Sequence, residues 1–590
     1  MDNDELNGVE VIRGYIDRVV CGDGKCNGMK VLLLDAATTQ IVSCVYSQTE
    51  ILSNEVYLVT RLDDTKQFQQ NTTKKYPSHL KAVCFVRPTE NVIQLLGTEL
   101  QSPRFTEYHI FFTGTLTTGL LRMLAEHDIL ERVHQVQEFY GDFVPINEDL
   151  LTMQCRNTLA MTVAAGTSWA PQHAHLYERN LKGLQGILLA LKRQPLAGIR
   201  YAGHSACAEE LAKDLYDAIS TDEIFVFRRK KRGTGGTLLL VLDRRNDPVT
   251  PLLSQWTYQA MVHELLGLNN HRVILKGAPN IAKDLEEVVL SSSQDEFFRA
   301  NRHSNFGELG EEIQKLLRDY QKQTAQHNTS NLNTIEDMQA FMDKFPELRS
   351  RSHNVSKHVA IMGELARLVE LCSLMDVSQF EQELACADNH TEHWRELMEK
   401  LDSPNIQVPD KLRLGLLYAL RYETSGNLNM VQQAMKKGGV PTDMVDLVKV
   451  MLRYAGTKSR GPGLYGENHN IMTKMTKSFM TSVQGVQNVY SQHVPLLMDT
   501  INAVLKGKLR TDTHPFVPGT APTSAKSGVP PDTIIPNEII IYMVGGVTYE
   551  EGTKVAEFNL ANKGRIQIIL GGSTVHNSTS FLEELKMTAL

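Results

Sequence analysis

Short, largely apolar runs at 31–34, 56–59, 82–86 and 109–112 punctuate the first part of the chain. None alternates polar with apolar residues. This predicts parallel strands covered by helices on both faces. Helical spacing falls between them, as at 120–127, so residues 1–143 are expected to form a small doubly wound α/β domain. A second α/β segment, 144–250, follows, with helices expected at 180–192 and 206–219 and a strong strand at 237–242. From 251 to 504 the period becomes helical. Strand signals return at 538–544 and 565–570, after a Pro/Gly/Thr/Ser-rich stretch at 511–536 that reads as a loop. Segment 505–590 is therefore expected to complete the sheet begun near 144. The fold class is α/β plus an all-α insertion.

Within the helical region, Ile335, Met338, Phe341, Met342 and Phe345 recur at helical spacing, and so do Val355, Val359, Met362, Leu365 and Val369. The two stripes are read as the arms of a helical hairpin over 335–371 with its tip at 346–356. Most of both stripes reads as core, with Leu348 and Val355 as candidates for exposure at the tip.

Composition narrows the function. With 590 residues, 42% of them hydrophobic, a sizeable core is expected. A net charge of −7 argues against a nucleic-acid partner. The eight cysteines are scattered, which suits reduced thiols better than a disulfide scaffold or a metal site. The acidic start carries no signal-peptide pattern, and the apolar run at 539–544 is too short to span a membrane. A cytoplasmic protein is expected, reaching membranes only peripherally through its partners.

No catalytic chemistry is indicated. The turn after Leu34 reads Asp35-Ala-Ala-Thr-Thr39, without the glycines that let a backbone approach a pyrophosphate. Gly22-Asp-Gly-Lys25 precedes its strand rather than following it. No Gly-x-Ser-x-Gly elbow or His-Glu-x-x-His helix is present. His173 and His175 diverge on a helix, and the basic run Arg228-Arg-Lys-Lys-Arg232 reads as a solvated loop. The expectation is a binding protein with no catalytic residues, no metal and no cofactor.

Leu240-Val-Leu-Asp-Arg-Arg-Asn-Asp-Pro-Val-Thr-Pro-Leu-Leu-Ser-Gln-Trp-Thr-Tyr-Gln-Ala-Met261 strongly resembles the SM (Sec/Munc) family. So do Val544-Gly-Gly-Val-Thr-Tyr-Glu-Glu551, Leu570-Gly-Gly-Ser-Thr-Val-His-Asn577 and Met29-Lys-Val-Leu-Leu-Leu-Asp35. Within the family the likeness is greatest to the endosomal and trans-Golgi branch. The resemblance implies a three-domain arch whose parallel-sheet domains 1 and 2 carry a large helical domain 3. It implies a regulator that binds a syntaxin-type SNARE and the assembled SNARE complex, and templates SNARE assembly at Golgi and endosomal membranes. Further partners it suggests are a vesicle SNARE and small-GTPase effectors. Carried over from Phe111-Phe-Thr113, it places a pocket for the syntaxin N-terminal peptide at Leu116, Leu121, Ala125, Val133, Val136 and Glu138. It also makes Pro346 a switch in the templating hairpin, beside Leu348 and Val355.

Overall fold

In the computed structural model the first apolar runs become a five-stranded parallel sheet. Its spatial order is Val56–Arg61, Lys30–Leu34, Lys81–Val86, Tyr108–Phe112 and Val133–Glu138. The structure describes residues 6–63, 79–164, 170–227, 236–279, 281–326, 335–465, 490–522 and 535–589, with side chains of 323–350 excepted. Central strands are buried along their length because helices cover both faces. One of these, Gly8–Val20, went unread in the sequence. It starts on the side chain of Asn7 and buries Ile12, Ile16 and Val19.

The second sheet has six strands, in the order Val144–Pro145, Leu150–Thr152, Gln567–Gly572, Glu538–Val544, Thr237–Asp243 and Ile199–Tyr201. All neighbours are parallel except the first pair. Its two central strands thus come from the last tenth of the chain and pair with strands from the first half. Their Ile and Leu side chains are wholly buried. The 511–536 stretch is not simply a loop where it is described. Tyr201 N donates to Pro515 O (3.2 Å), Val517 N donates to Ile199 O (2.9 Å), and the Arg200 guanidinium donates to His514 O (2.8 Å) and stacks on Phe516. A segment with no side-chain periodicity satisfies a sheet edge through its backbone. Residues 523–534 lie outside the described residues.

Both sheets belong to one compact unit, Met1–Arg244, Leu497–Val547 and Lys554–Val575. The other unit, Arg245–Leu496, Thr548–Thr553 and His576–Leu590, is mostly helical. In it, Asp247 accepts from Thr250 N (3.0 Å) and Leu496 N (3.1 Å), fixing the turn of the Asp-Pro motif. Trp256 is buried and donates to Ser378 Oγ (2.7 Å). The first helix of this region is α-helical at Tyr258–Met261 and opens into a π-turn at Val262–Leu266. Two short antiparallel strands, Arg272–Ile274 and Glu287–Val289, interrupt the helices.

The expected hairpin within 335–371 is corrected by the structure. Ile335–Leu371 is a single helix of 37 residues that runs through Pro346. Its antiparallel partner is Phe306–Gln326, whose Leu309 and Ile313 share a core cluster with Ile361, Leu365 and Val369. Once a helix is nucleated each further residue is cheap to add, and burial of this stripe outweighs the disfavour of one proline.

Candidate peptide-binding site

The carried-over pocket residues sit on one structural unit, the helix Thr118–His127 and the edge strand Val133–Glu138. Thr117 caps the helix through its side chain. Leu124 anchors it in the domain core, with Leu120 and Met123 packed alongside. That leaves Leu121 and Ala125, one turn apart, at the flank. Leu121 is 45% exposed and Ala125 is exposed too, so Leu121 is not core.

Strict alternation would put Val133 and Val136 on opposite faces of their strand. The register instead slips between the Tyr108–Val133 and His109–Gln135 pairs, leaving His134 as an extra residue. Val133, Val136 and Glu138 therefore all lie in register with Tyr108, Ile110 and Phe112. Those three belong to the core cluster that also holds Leu124 of the helix. Leu116 and Val133 pack half-buried on that cluster, whereas Val136 is 37% exposed. The bulge thus brings three strand residues onto the helix-covered face, with apolar side chains left open at its margin.

Glu138 is engaged within the domain. One carboxylate oxygen accepts from Leu116 N (2.6 Å) and the other from Tyr140 Oη (3.1 Å). Burial and the neighbouring carboxylate push the Tyr140 hydroxyl well above its ordinary pKa, so it stays a donor. Glu138 thereby ties the loop before the helix to the strand end.

Among the described residues, the end of the strand Lys30–Leu34 offers no phosphate cradle. Asp35 caps the helix Ala36–Val45, its Oδ1 accepting from Ala37 N (2.8 Å) and Thr38 N (2.7 Å). Its Oδ2 accepts from Arg87 N (2.7 Å). A buried carboxylate occupies the helix N-terminus where a nucleotide fold would place phosphate.

The second set of carried-over residues lies on the long helix. The side chains of Pro346 and Leu348 lie outside the described residues. Val355 is buried, at 6% exposure, which corrects its expected exposure at a hairpin tip. The helix is pinned just beyond it. Asp295 caps Glu296–Asn301 and also binds Lys357 Nζ and His358 Nε2 (3.0 Å), while Tyr258 Oη meets His358 Nδ1 (2.8 Å). Burial would raise the Asp295 carboxyl, but His358 and Lys357 outweigh it and hold its pKa well below the usual carboxylate range. This cluster was missed in the sequence. Its only local trace is an Asp three residues before Phe298, a helix-start pattern. Another buried ionic knot was equally invisible. Arg413 meets Glu381 (3.0 Å) and Asp410 (2.6 Å), and Glu381 also accepts from Ser254 N (2.7 Å).

The model of the Sec1 family matches residues 30–584. Vacuolar protein sorting-associated protein 45 of Homo sapiens is 40% identical over 99% of this chain and 97% of its own length. The Arabidopsis thaliana homologue is 41% identical over 98% and 97%. A solved structure of the SM protein Vps45 in complex with the Qa SNARE Tlg2 superposes with a TM-score of 0.87, at 37% identity over 99% of this chain and 98% of that one. The strands, the Asp-Pro turn and the terminal glycine turns all fall inside that matched span, and the chain belongs to the Sec1 family of SM proteins.

Proposed function

We propose that this chain regulates SNARE-complex assembly by binding a syntaxin-type SNARE, in endosomal and trans-Golgi vesicle transport. The observation that carries this reading is the full-length likeness, at 37% identity, to a protein solved with its Qa SNARE. The surface-open apolar side chains of Leu121, Ala125 and Val136 support a site for the SNARE's N-terminal peptide. Walls of this kind suit one apolar anchor side chain of a short peptide. The antiparallel pair Phe306–Gln326 and Ile335–Leu371 serves as the surface on which SNARE helices align. Holding helices side by side lowers the ordering cost of nucleating a four-helix coiled coil. Among the described residues no helix is long and apolar enough to cross a membrane.

Calorimetric titration of the full chain with a syntaxin N-terminal peptide tests this reading. Leu121→Arg removes burial worth about 1.5–3 kcal/mol and should weaken binding at least about tenfold. Its melting temperature should hold, because Leu121 is half open to solvent. Unchanged affinity in Leu121→Arg would sink the assignment.

A further inference from the structure

We propose that the peptide site continues past Ala125 and Val133 onto the turn 128–131, where Ile129 and Leu130 seat a second apolar side chain of the same SNARE segment. This rests on the reading of the Leu121 slot given above. Ile129 is 76% exposed and Leu130 53% exposed. Single exposed aliphatic residues are ordinary, but these are adjacent and rigidly presented.

Asp128 locks the turn from both ends. Its carboxylate accepts from Arg132 N (2.8 Å) and Val133 N (3.0 Å). Its own N–H donates to Ala125 O (3.2 Å), and Glu131 N donates to Asp128 O (3.1 Å). Glu131 is held at φ +51°, in the left-handed region that residues other than glycine seldom adopt. These contacts hold the backbone of the turn while both side chains stand open to solvent. A preformed apolar display loses little freedom when a ligand settles on it.

The turn is continuous with the slot in space. It joins the helix bearing Leu121 and Ala125 to the strand bearing Val133 and Val136. From Leu121 to the helix end at His127 is roughly 9 Å at the helical rise, and Ile129 lies two residues further on. An extended peptide covers that in about four residues. The second apolar residue of the ligand therefore lies about four positions from its anchor. The exposed flanking residues Arg122, Glu126, Glu131 and Arg132 carry both signs, so the rim lacks the basic excess that an anionic membrane surface selects. A peptide is the occupant this surface fits.

The test titrates the full chain with a synthetic peptide of the N-terminal segment of the Qa SNARE Tlg2, and with single alanine variants at its apolar positions. Ile129→Ser/Leu130→Ser should lose about tenfold in affinity with its melting curve unchanged. One apolar peptide residue, about four positions from the anchor, should lose its alanine effect in that variant alone. If Leu121→Arg abolishes binding while the turn variant binds as wild type does, the extension falls and the slot stands. If the wild type binds no peptide, or Leu121→Arg changes nothing, the slot reading itself falls and the extension with it. A collapsed melting temperature in the turn variant would make the two residues structural and overturn the proposal. So would self-association of the wild type, seen by light scattering and lost in that variant.

Discussion

Asp35 shows how one residue can close a helix start to phosphate. Its carboxylate satisfies two N–H groups of a helix start and one just past the end of the neighbouring strand. Asp35→Ala should cost about 2–3 kcal/mol in urea unfolding, through the lost cap and the orphaned Arg87 N–H. ATP, GTP or NAD at about 1 mM should leave the melting temperature of the wild-type protein unmoved, whereas a ligand at 100 times its Kd would add about 2.7 kcal/mol. A clear upward shift with any of them would overturn the non-enzymatic reading. The sequence already carried half of this, as a turn without glycines. Only the fold revealed that a carboxylate fills the place. Glu381 gives a second residue-scale expectation. Burial lifts its carboxyl from 4.5 to about 7, although Arg413 opposes the shift. A carboxyl whose folded pKa is raised adds stability below its unfolded pKa and loses it as pH climbs through the folded value. Wild type should therefore lose up to roughly 3 kcal/mol between pH 5 and pH 8 relative to Glu381→Gln. Parallel urea midpoints for the two proteins across that range would refute it.

At the scale of elements, the sequence named helices and strands well where burial runs along a whole element. It failed where a local signal competed with distant packing. Two apolar stripes on either side of Pro346 read as the arms of a hairpin, yet the backbone of Ile335–Leu371 is helical throughout. The part of the helix beyond the proline is fixed from outside, by Asp295 on Lys357 and His358 and by Leu309 and Ile313 on Ile361 and Leu365. The proline still lacks an N–H and crowds the preceding turn, at a cost of about 3 kcal/mol in a helix interior. Pro346→Ala should therefore slow amide exchange across 340–355 and raise the rate of SNARE assembly on the helix pair. If neither exchange nor assembly changes, Pro346 is no switch. The edge strand Val133–Glu138 is the converse case. Strict alternation puts Val136 and Glu138 on one face, but Val133 joins it only through a bulge that no local pattern announces.

Across the whole molecule, chain order and spatial order diverge. Residues 1–143 contain every strand of the first sheet, whereas the second sheet is centred on Glu538–Val544 and Gln567–Gly572. A 1–143 fragment should therefore unfold cooperatively in urea. A 1–244 fragment leaves Leu238, Leu240 and Val241, all buried in the full chain, without one of their two neighbouring strands, Glu538–Val544. It should expose apolar surface and aggregate or bind a hydrophobic dye. A cooperative, dye-free 1–244 fragment would refute the dependence of its sheet on the last strands.

What the sequence determined by itself is whatever local period and composition encode. That covers the buried parallel strands, the helical insertion, the missing phosphate turn and the motifs that place the chain in its family. Tertiary structure decided which side chains of a stripe are buried and which are open. Leu121 is surface and Val355 is core, although both sit on apolar helical stripes. It also decided the partners of Asp295, Glu381 and Glu138. The physical reason is one of range. A period of 2 or 3.6 residues follows from backbone geometry within one element. Burial and ion pairing depend on elements that may lie hundreds of residues away, and no window of sequence contains them.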